Sequence, residues 1–154
     1  MDGGGLPMLR RMIFLLAVLL IIPISLLGAD LTPEERRRIG SSAEAALKEV
    51  ISLWKDGKYE ELYEYGYRTN QVSLSKENFI RRMKNKFWEL STAREAIRDV
   101  EADVVSSRSV YVRAKLEFRR KTGGETRFVT ETFQMTMEGD RWRTGLYKII
   151  SCPK

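Results

Sequence analysis

The sequence contains no histidine, one cysteine and four prolines among its 154 residues. Without histidine the chain cannot use an imidazole base, a histidine-ligated metal or a histidine-dependent catalytic triad. The single thiol, Cys152, cannot by itself build a thiolate zinc site or an intrachain disulfide. No glycine-rich phosphate loop occurs, because the run at residues 3–5 precedes the first apolar stretch. We therefore expect a domain with neither a metal nor a cofactor.

Long apolar stretches are confined to the N-terminus. Arg10 and Arg11 precede a mainly apolar stretch, residues 12–27, which ends before Gly28-Ala29. A charged start, a short apolar middle and a small-residue exit are typical of a secretory signal. The stretch is also shorter than the roughly 20 residues of a spanning helix. We expect residues 1–29 to be a signal peptide, or an uncleaved membrane anchor, and residues 30–154 to be one exported domain, periplasmic or extracellular.

The formal net charge is +6, and the basic excess is spread along the chain apart from three short runs, at residues 36–38, 81–86 and 119–121. Such runs usually form solvated faces, although contact with an anionic membrane surface or an acidic polymer is an alternative. Export and the lack of a nucleic-acid-binding motif both argue against nucleic acid as a partner.

The first half of the chain predicts three helices. Thr32 and Glu35 have the spacing of a capping box, with Pro33 at the first helical position, so a long helix begins here. Gly57 marks its end. A short second helix follows and stops at Gly66. The third begins at Ser75, and its expected buried face comprises Phe79, Ile80, Met83, Phe87 and Leu90.

From Ile97 the apolar residues alternate with polar ones, which predicts four antiparallel strands in a curved meander. Three tight turns set the register: a three-residue loop at 106–108 and two-residue loops at Gly123-Gly124 and Gly139-Asp140. The expected inward pairs are Val104–Val110, Phe118–Val129, Ala114–Phe133, Met137–Trp142 and Phe133–Leu146. On the outer face we expect a charge ladder, with Asp99 opposite Lys115 and Glu101 opposite Arg113.

The same register interprets the stretch "RWR" near the end of the chain. Trp142 points inward, whereas Arg141 and Arg143 point toward water. The triplet is therefore predicted to be part of a half-buried strand, and not an aromatic platform for a ligand.

Three stretches and the order of the elements resemble a known superfamily. "LWKDGKYEELYEYG", "SKENFIRRM" and "EGDRWRTGLYKI" are similar to segments of the nuclear transport factor 2-like proteins, the cystatin-like α+β roll, and most of all to exported bacterial members of unassigned function. The resemblance spans roughly residues 34–150. It implies an α+β fold in which one long and two shorter N-terminal helices pack on the curved four-stranded meander, often around a pocket. Members include isomerases, dehydratases, cyclases and binding domains, so the fold names no activity.

Four of the five candidate site residues line the inner face of the last three strands. Glu131 is the one inward acid there, and the register places it beside Lys148, as a structural ion pair or, if desolvated, as a general base. Arg120 and Arg127 are expected directly opposite each other, where they either splay into solvent or grip an anion at the mouth of a pocket. Tyr63 belongs to a tyrosine cluster that packs or forms a lid.

These residues favour a non-catalytic exported domain that binds a small ligand, with an anion as one candidate, or a protein partner. One alternative is a carboxylate-dependent enzyme of the isomerase or dehydratase type, with Glu131 as the base. Another is a membrane-anchored assembly module that forms a homodimer through its outer sheet face, with Tyr111, Tyr147 and Ile149 in the interface.

Overall fold

The computed structural model describes residues 30–93 and 96–153. The predicted signal peptide or anchor, residues 1–29, lies outside them. In the described part, five helices accompany a curled antiparallel sheet of five strands, which confirms the α+β class and corrects the expected three helices and four strands. Residues 31–154 form one compact unit, and every residue of its buried core lies between Ala43 and Cys152. This unit therefore holds a complete core of its own.

Helix α1 (Pro33–Lys55) begins and ends as predicted. The hydroxyl of Thr32 accepts from the Glu35 amide, and the Glu35 carboxylate accepts from the Thr32 amide at 2.9 Å, which completes the capping box. Gly57 follows the helix with φ of +70°, a left-handed conformation that favours glycine. The stripe that packs on the sheet comprises Gly40, Ala43, Leu47, Val50, Ile51, Leu53 and Trp54.

Four shorter helices complete the helical part: α2 (Tyr59–Tyr63), α3 (Arg68–Ser73), α4 (Lys76–Lys84) and α5 (Leu146–Ser151). The Ser75 hydroxyl accepts from the Asn78 amide, which confirms the predicted start of α4. The predicted end is wrong, because α4 stops at Lys84. Phe87 consequently lies outside the helix and is 75% exposed, while Leu90 is buried in a strand.

The sheet contains β1 (Trp88–Leu90), β2 (Ile97–Ser106), β3 (Ser109–Arg120), β4 (Thr126–Glu138) and β5 (Arg141–Arg143). Strand β3 is central: β1 and β2 share one of its edges, and β4 occupies the other, with β5 paired to the end of β4. The period of two is confirmed, since the inward residues of β3 and β4 are buried: Val110, Val112, Ala114, Leu116, Phe118, Phe133 and Met135.

The register between β3 and β4 differs from the prediction by two residues. Ala114 lies opposite Glu131, and Phe118 lies opposite Arg127. The loop is longer than the two glycines, because the Arg120 amide donates to the Glu125 carbonyl at 2.8 Å and the chain turns between them. A shift of two residues keeps each side chain on its predicted face, so the inward and outward assignments survive although the partners change.

The other two hairpins fit the prediction near their turns and depart from it farther away. Val104 pairs with Val110, Glu101 with Arg113, and Met137 with Trp142, as expected. Beyond Glu101 the ladder shifts at an irregularity where Asp99 has φ of +50°, so Arg98 lies opposite Lys115 in place of Asp99.

The final strand is shorter than predicted. After Arg143 the chain leaves the sheet, and the Thr144 amide donates to the Tyr65 carbonyl at 2.8 Å in a bridge beside Gly66. Residues 146–151 then form α5, so the expected continuation of this strand past Arg143, with its Phe133–Leu146 pair, is wrong. Short apolar runs fit either period, and here Leu146 and Ile149 are both buried at helical spacing.

Strand β5 contains the Arg-Trp-Arg triplet, whose three side chains have different surroundings. Trp142 is buried, and its indole donates to the Ser42 hydroxyl at 3.0 Å, which confirms the half-buried strand. Arg141 is exposed, as expected. The outward prediction for Arg143 is wrong: its side chain is 14% exposed and donates to the Glu64 and Gly66 carbonyls at 2.7 and 2.9 Å. Arg143 thereby ties β5 to the end of α2.

Candidate functional site

Glu131 and Lys148 form the ion pair that the sequence suggested. The carboxylate belongs to the inward face of β4, and its side chain is 12% exposed, against 33% for Lys148. Lys148 reaches it from α5, however, and not from a neighbouring strand. The pair therefore joins the C-terminal helix to the sheet.

The Cys152 thiol completes this cluster. Burial is the main reason that the pKa of Cys152 is raised to about 12, and the nearby Glu131 carboxylate, which accepts a hydrogen bond from the thiol, raises it further. A buried thiol with such a pKa stays protonated at neutral pH, and the thiolate is the reactive form. Cys152 thus contributes packing and one hydrogen bond.

Lys86 also holds the C-terminal segment in place. Its ammonium donates to the carbonyls of Ile150 and Cys152 and lies 5.8 Å from the centre of the Trp54 ring. Burial lowers the pKa of Lys86.

A general base must come within hydrogen-bond reach of a substrate proton. The Glu131 carboxylate instead contacts the Lys148 ammonium and the Cys152 thiol, both from the C-terminal segment. These contacts argue against Glu131 as a general base.

Arg120 and Arg127 do not face each other as predicted. The guanidinium of Arg127 stacks over the Trp88 ring at 4.5 Å from its centre, and Trp88 in turn lies opposite Arg120 in the sheet. Arg120 pairs with Glu125 at 3.6 Å, with both side chains largely exposed. The two arginines therefore flank one indole at the end of β3, and do not form a clamp across the strands.

Tyr63 is a packing residue whose hydroxyl is already used. The side chain is buried, and its hydroxyl donates to the Leu74 carbonyl at 2.7 Å. Burial raises the pKa of Tyr63, and Glu64 raises it further. The contact joins α2 to the residue before the Ser75 cap of α4. The Tyr63 hydroxyl is therefore not free to contact a ligand, which argues against a role for Tyr63 in a lid.

Lys148 also borders a groove of about 360 Å³ beside β3 and β4. The groove runs past two aromatic side chains and several polar ones: Tyr67, Tyr111, Thr132 and Gln134, with Thr144 and Gly145 at its end. The Tyr67 hydroxyl donates to the Gln134 carbonyl at 2.6 Å, so one wall is fastened to β4.

The outer face of the sheet bears cross-strand ion pairs. Arg113 contacts Glu101, as predicted, and Arg98 lies 3.6 Å from Glu117. Tyr111 is exposed on this face, but the other two residues proposed for a dimer interface are not part of it. Tyr147 and Ile149 belong to α5, and Ile149 is fully buried.

One cluster was missed by the sequence analysis, because its parts are far apart along the chain. The amide of Lys121 donates to the Phe87 carbonyl at 2.9 Å, and its ammonium donates to the Lys84 carbonyl at 2.7 Å. These bonds place Lys84 and Lys121 beside Phe87, which is exposed, so an end of each of two basic runs, residues 81–86 and 119–121, meets the other there. We call this surface, formed by Arg81, Arg82, Lys84, Phe87, Arg120 and Lys121, the basic end. Its one sequence signal is an apolar residue that follows a basic run.

No family model matches this sequence, and no curated protein is detectably similar to it. Among residues 30–93 and 96–153, no group of three or more cysteine and acidic side chains is arranged to hold a metal ion. None of the helices within those residues is long and apolar enough to cross a membrane. The geometry of the domain is therefore what indicates its function.

Proposed function

We propose that this chain is a non-catalytic exported domain that binds an anionic partner through the basic end. The proposal includes a nuclear transport factor 2-like arrangement, in which the long helix α1 and the shorter helices pack on the curled sheet. The observation that carries it is the junction at Lys121, which joins the two basic runs around Phe87. Clustered cations raise the local concentration of anions and speed their association.

The exposure of these cations supports a binding role. Arg81, Arg82 and Lys84 occupy the last turn of α4, and their side chains are exposed, as is that of Lys121. Cations in a last turn also face the negative end of the helix dipole, so they are favourable there even before a partner binds. The basic end is therefore compatible with a stable fold and remains open to a ligand.

The inward face offers less to the enzyme alternative. Glu131 is paired with Lys148 and contacts the Cys152 thiol, so a substrate would have to displace part of α5 to reach the carboxylate. For the homodimer alternative, Tyr111 is exposed on the outer face, but Ile149 is buried in the core and cannot contact a second copy. Binding at the surface is consequently the function that the geometry favours.

The proposal is tested by titrating residues 30–154, the unit with the complete core, with linear inorganic polyphosphate at several salt concentrations. We expect measurable affinity with a steep salt dependence. The double variant Lys84→Ala with Lys121→Ala should bind more weakly, and its salt slope should fall by about one unit for each removed contact. Thermal unfolding of each variant checks that the fold is intact.

A variant of equal net charge provides the control. Arg37 and Arg38 are exposed on α1, near Arg36, which donates to the Val104 carbonyl beside the start of β3. The basic end is at the other end of this 12-residue strand, about 40 Å away along an extended chain. Arg37→Ala with Arg38→Ala should leave binding unchanged. Equal losses in the two double variants would contradict a specific site, because they would reflect net charge alone.

A further inference from the structure

The most exposed aromatic side chain of the described residues, Phe87, belongs to the basic end and accepts through its carbonyl from the Lys121 amide. Phe87 is 75% exposed, in the link between α4 and β1. Its neighbours are held on the protein side: the Lys86 ammonium donates to the carbonyls of Ile150 and Cys152, and Trp88 is stacked against Arg127. Phe87 is therefore fixed in an outward orientation by the contacts of the residues on both sides.

Single exposed apolar residues are common on protein surfaces and need no explanation by themselves. Phe87 differs from such residues in its surroundings. The exposed cations of the basic end lie in the adjacent turn of α4 and at Lys121, whose amide bonds the Phe87 carbonyl itself. An outward phenylalanine beside Lys84 and Lys121 combines two attractions, one for an apolar medium and one for negative charge.

We propose that the anionic partner of the basic end is the surface of a phospholipid bilayer with negatively charged headgroups, with Phe87 inserted at the boundary between headgroups and acyl chains. This inference rests on the proposed function. A bilayer surface satisfies both parts of the site, because basic residues bind anionic headgroups and aromatic rings favour the interfacial layer. An acidic polymer would use the cations and leave Phe87 in water.

Two further observations agree with a membrane partner. Trp88 follows Phe87 directly and packs against the core while it stays partly exposed, and an indole has the apolar body and polar edge that suit the interface. The sequence also predicts that the chain meets a membrane, since residues 12–27 form a mainly apolar stretch after Arg10 and Arg11. A domain that stays beside this membrane gains from a second, weak contact.

The test measures binding of residues 30–154 to vesicles of phosphatidylcholine with and without phosphatidylglycerol. We expect binding to the anionic vesicles that weakens about fivefold for each cation removed from the basic end. Phe87→Ala should weaken it by a further factor of about ten, since one inserted aromatic side chain is lost. Val72→Ala is the matched control, because Val72 is 90% exposed on α3, outside the basic end. This variant should bind as the unchanged domain does.

Trp88 supplies a second readout, because the other two tryptophans, Trp54 and Trp142, are buried in the core. Brominated lipids should quench its fluorescence in anionic vesicles. Quenching equal to that with neutral vesicles would overturn the insertion of this end of the domain. Unchanged vesicle binding by Phe87→Ala would overturn it as well.

Polyphosphate binding, measured beside vesicle binding, distinguishes a failure of this inference from a failure of the proposed function. Phe87→Ala should bind polyphosphate normally, because that ligand uses charge alone. A domain that binds polyphosphate and ignores anionic vesicles would refute the membrane partner and leave the proposed function standing. A domain that binds neither would refute both.

Discussion

The two faces of the sheet both carry charged side chains, but those side chains have different neighbours. On the inner face, Glu131 meets Lys148 and the Cys152 thiol from the C-terminal segment. On the outer face, Glu101 meets Arg113 on the adjacent strand, and both side chains are mostly exposed. Water can replace a lost partner on the outer face, whereas it reaches the inner face poorly. Loss of one partner should therefore cost more on the inner face than on the outer face.

The largest expected difference between a buried and an exposed position lies within β5 itself. Trp142→Ala should lower the free energy of unfolding by about 3–5 kcal/mol, because it leaves a cavity against α1 and removes the bond to Ser42. Arg141→Ala, one residue away, should cost less than about 1 kcal/mol, since its side chain is exposed over the Tyr65 ring. Urea denaturation of both variants measures this difference. Similar losses would mean that the strand does not bury its tryptophan.

A smaller difference is expected between the two glutamates. Glu131→Gln should destabilise the domain by about 1–2 kcal/mol, because it leaves the Lys148 ammonium in a half-buried position without its counter-charge. Glu101→Gln should change stability by less than about 0.5 kcal/mol, as exposed ion pairs usually do. If the two variants were equally stable, the inner pair would be no more protected from water than the outer one.

The smallest effect concerns alkaline pH. The pKa of Cys152 in the folded chain, about 12, lies above the ordinary value of 9.0, so unfolding releases the thiol proton between these values. The contribution of the thiol to stability is full below the ordinary pKa and is lost as the pH rises toward the folded pKa. We expect the free energy of unfolding to fall by about 1 kcal/mol between about pH 8 and about pH 10.

Cys152→Ala is the control for that measurement. It removes the titrating group, so its stability should depend less on pH over the same range, although its absolute stability is lower. The buried Tyr63, whose pKa is also raised, affects the domain at higher pH and should act equally in both proteins. An unchanged pH profile in the variant would exclude Cys152 as the source of the slope.

Local sequence signals were reliable where a short stretch contains all of the interacting atoms. The capping box at Thr32, the left-handed Gly57 and the Ser75 cap involve residues at most a few positions apart. The alternation in β3 and β4 is similarly local, and both strands bury the predicted side. A hairpin turn constrains the pairs next to it, which is why Met137–Trp142 was predicted correctly.

Prediction failed where the outcome depends on a distant element. "LYKII" could continue a strand or form a helix, and the hydrogen bonds of Thr144 to the chain beside Gly66 favour leaving the sheet. Arg143 was assigned to solvent because nothing in its own strand indicates that the carbonyls of Glu64 and Gly66 accept from it. Lys148 is the correct partner of Glu131, although the strand register that predicts this pair does not exist. The pair forms because α5 brings Lys148 against the inner face of β4.

The sequence by itself determined the helix caps, the face that each long strand buries and the absence of histidine chemistry, because these follow from composition and from neighbours within a few residues. The tertiary structure decided the register of β3 on β4, the helical C-terminus that covers Glu131, and the junction of two basic runs at Lys121 and Phe87. The last two depend on the free energy of packing segments that are far apart in the chain, and that energy has no local signature in the sequence. The register follows from a turn that is longer than its two glycines indicate.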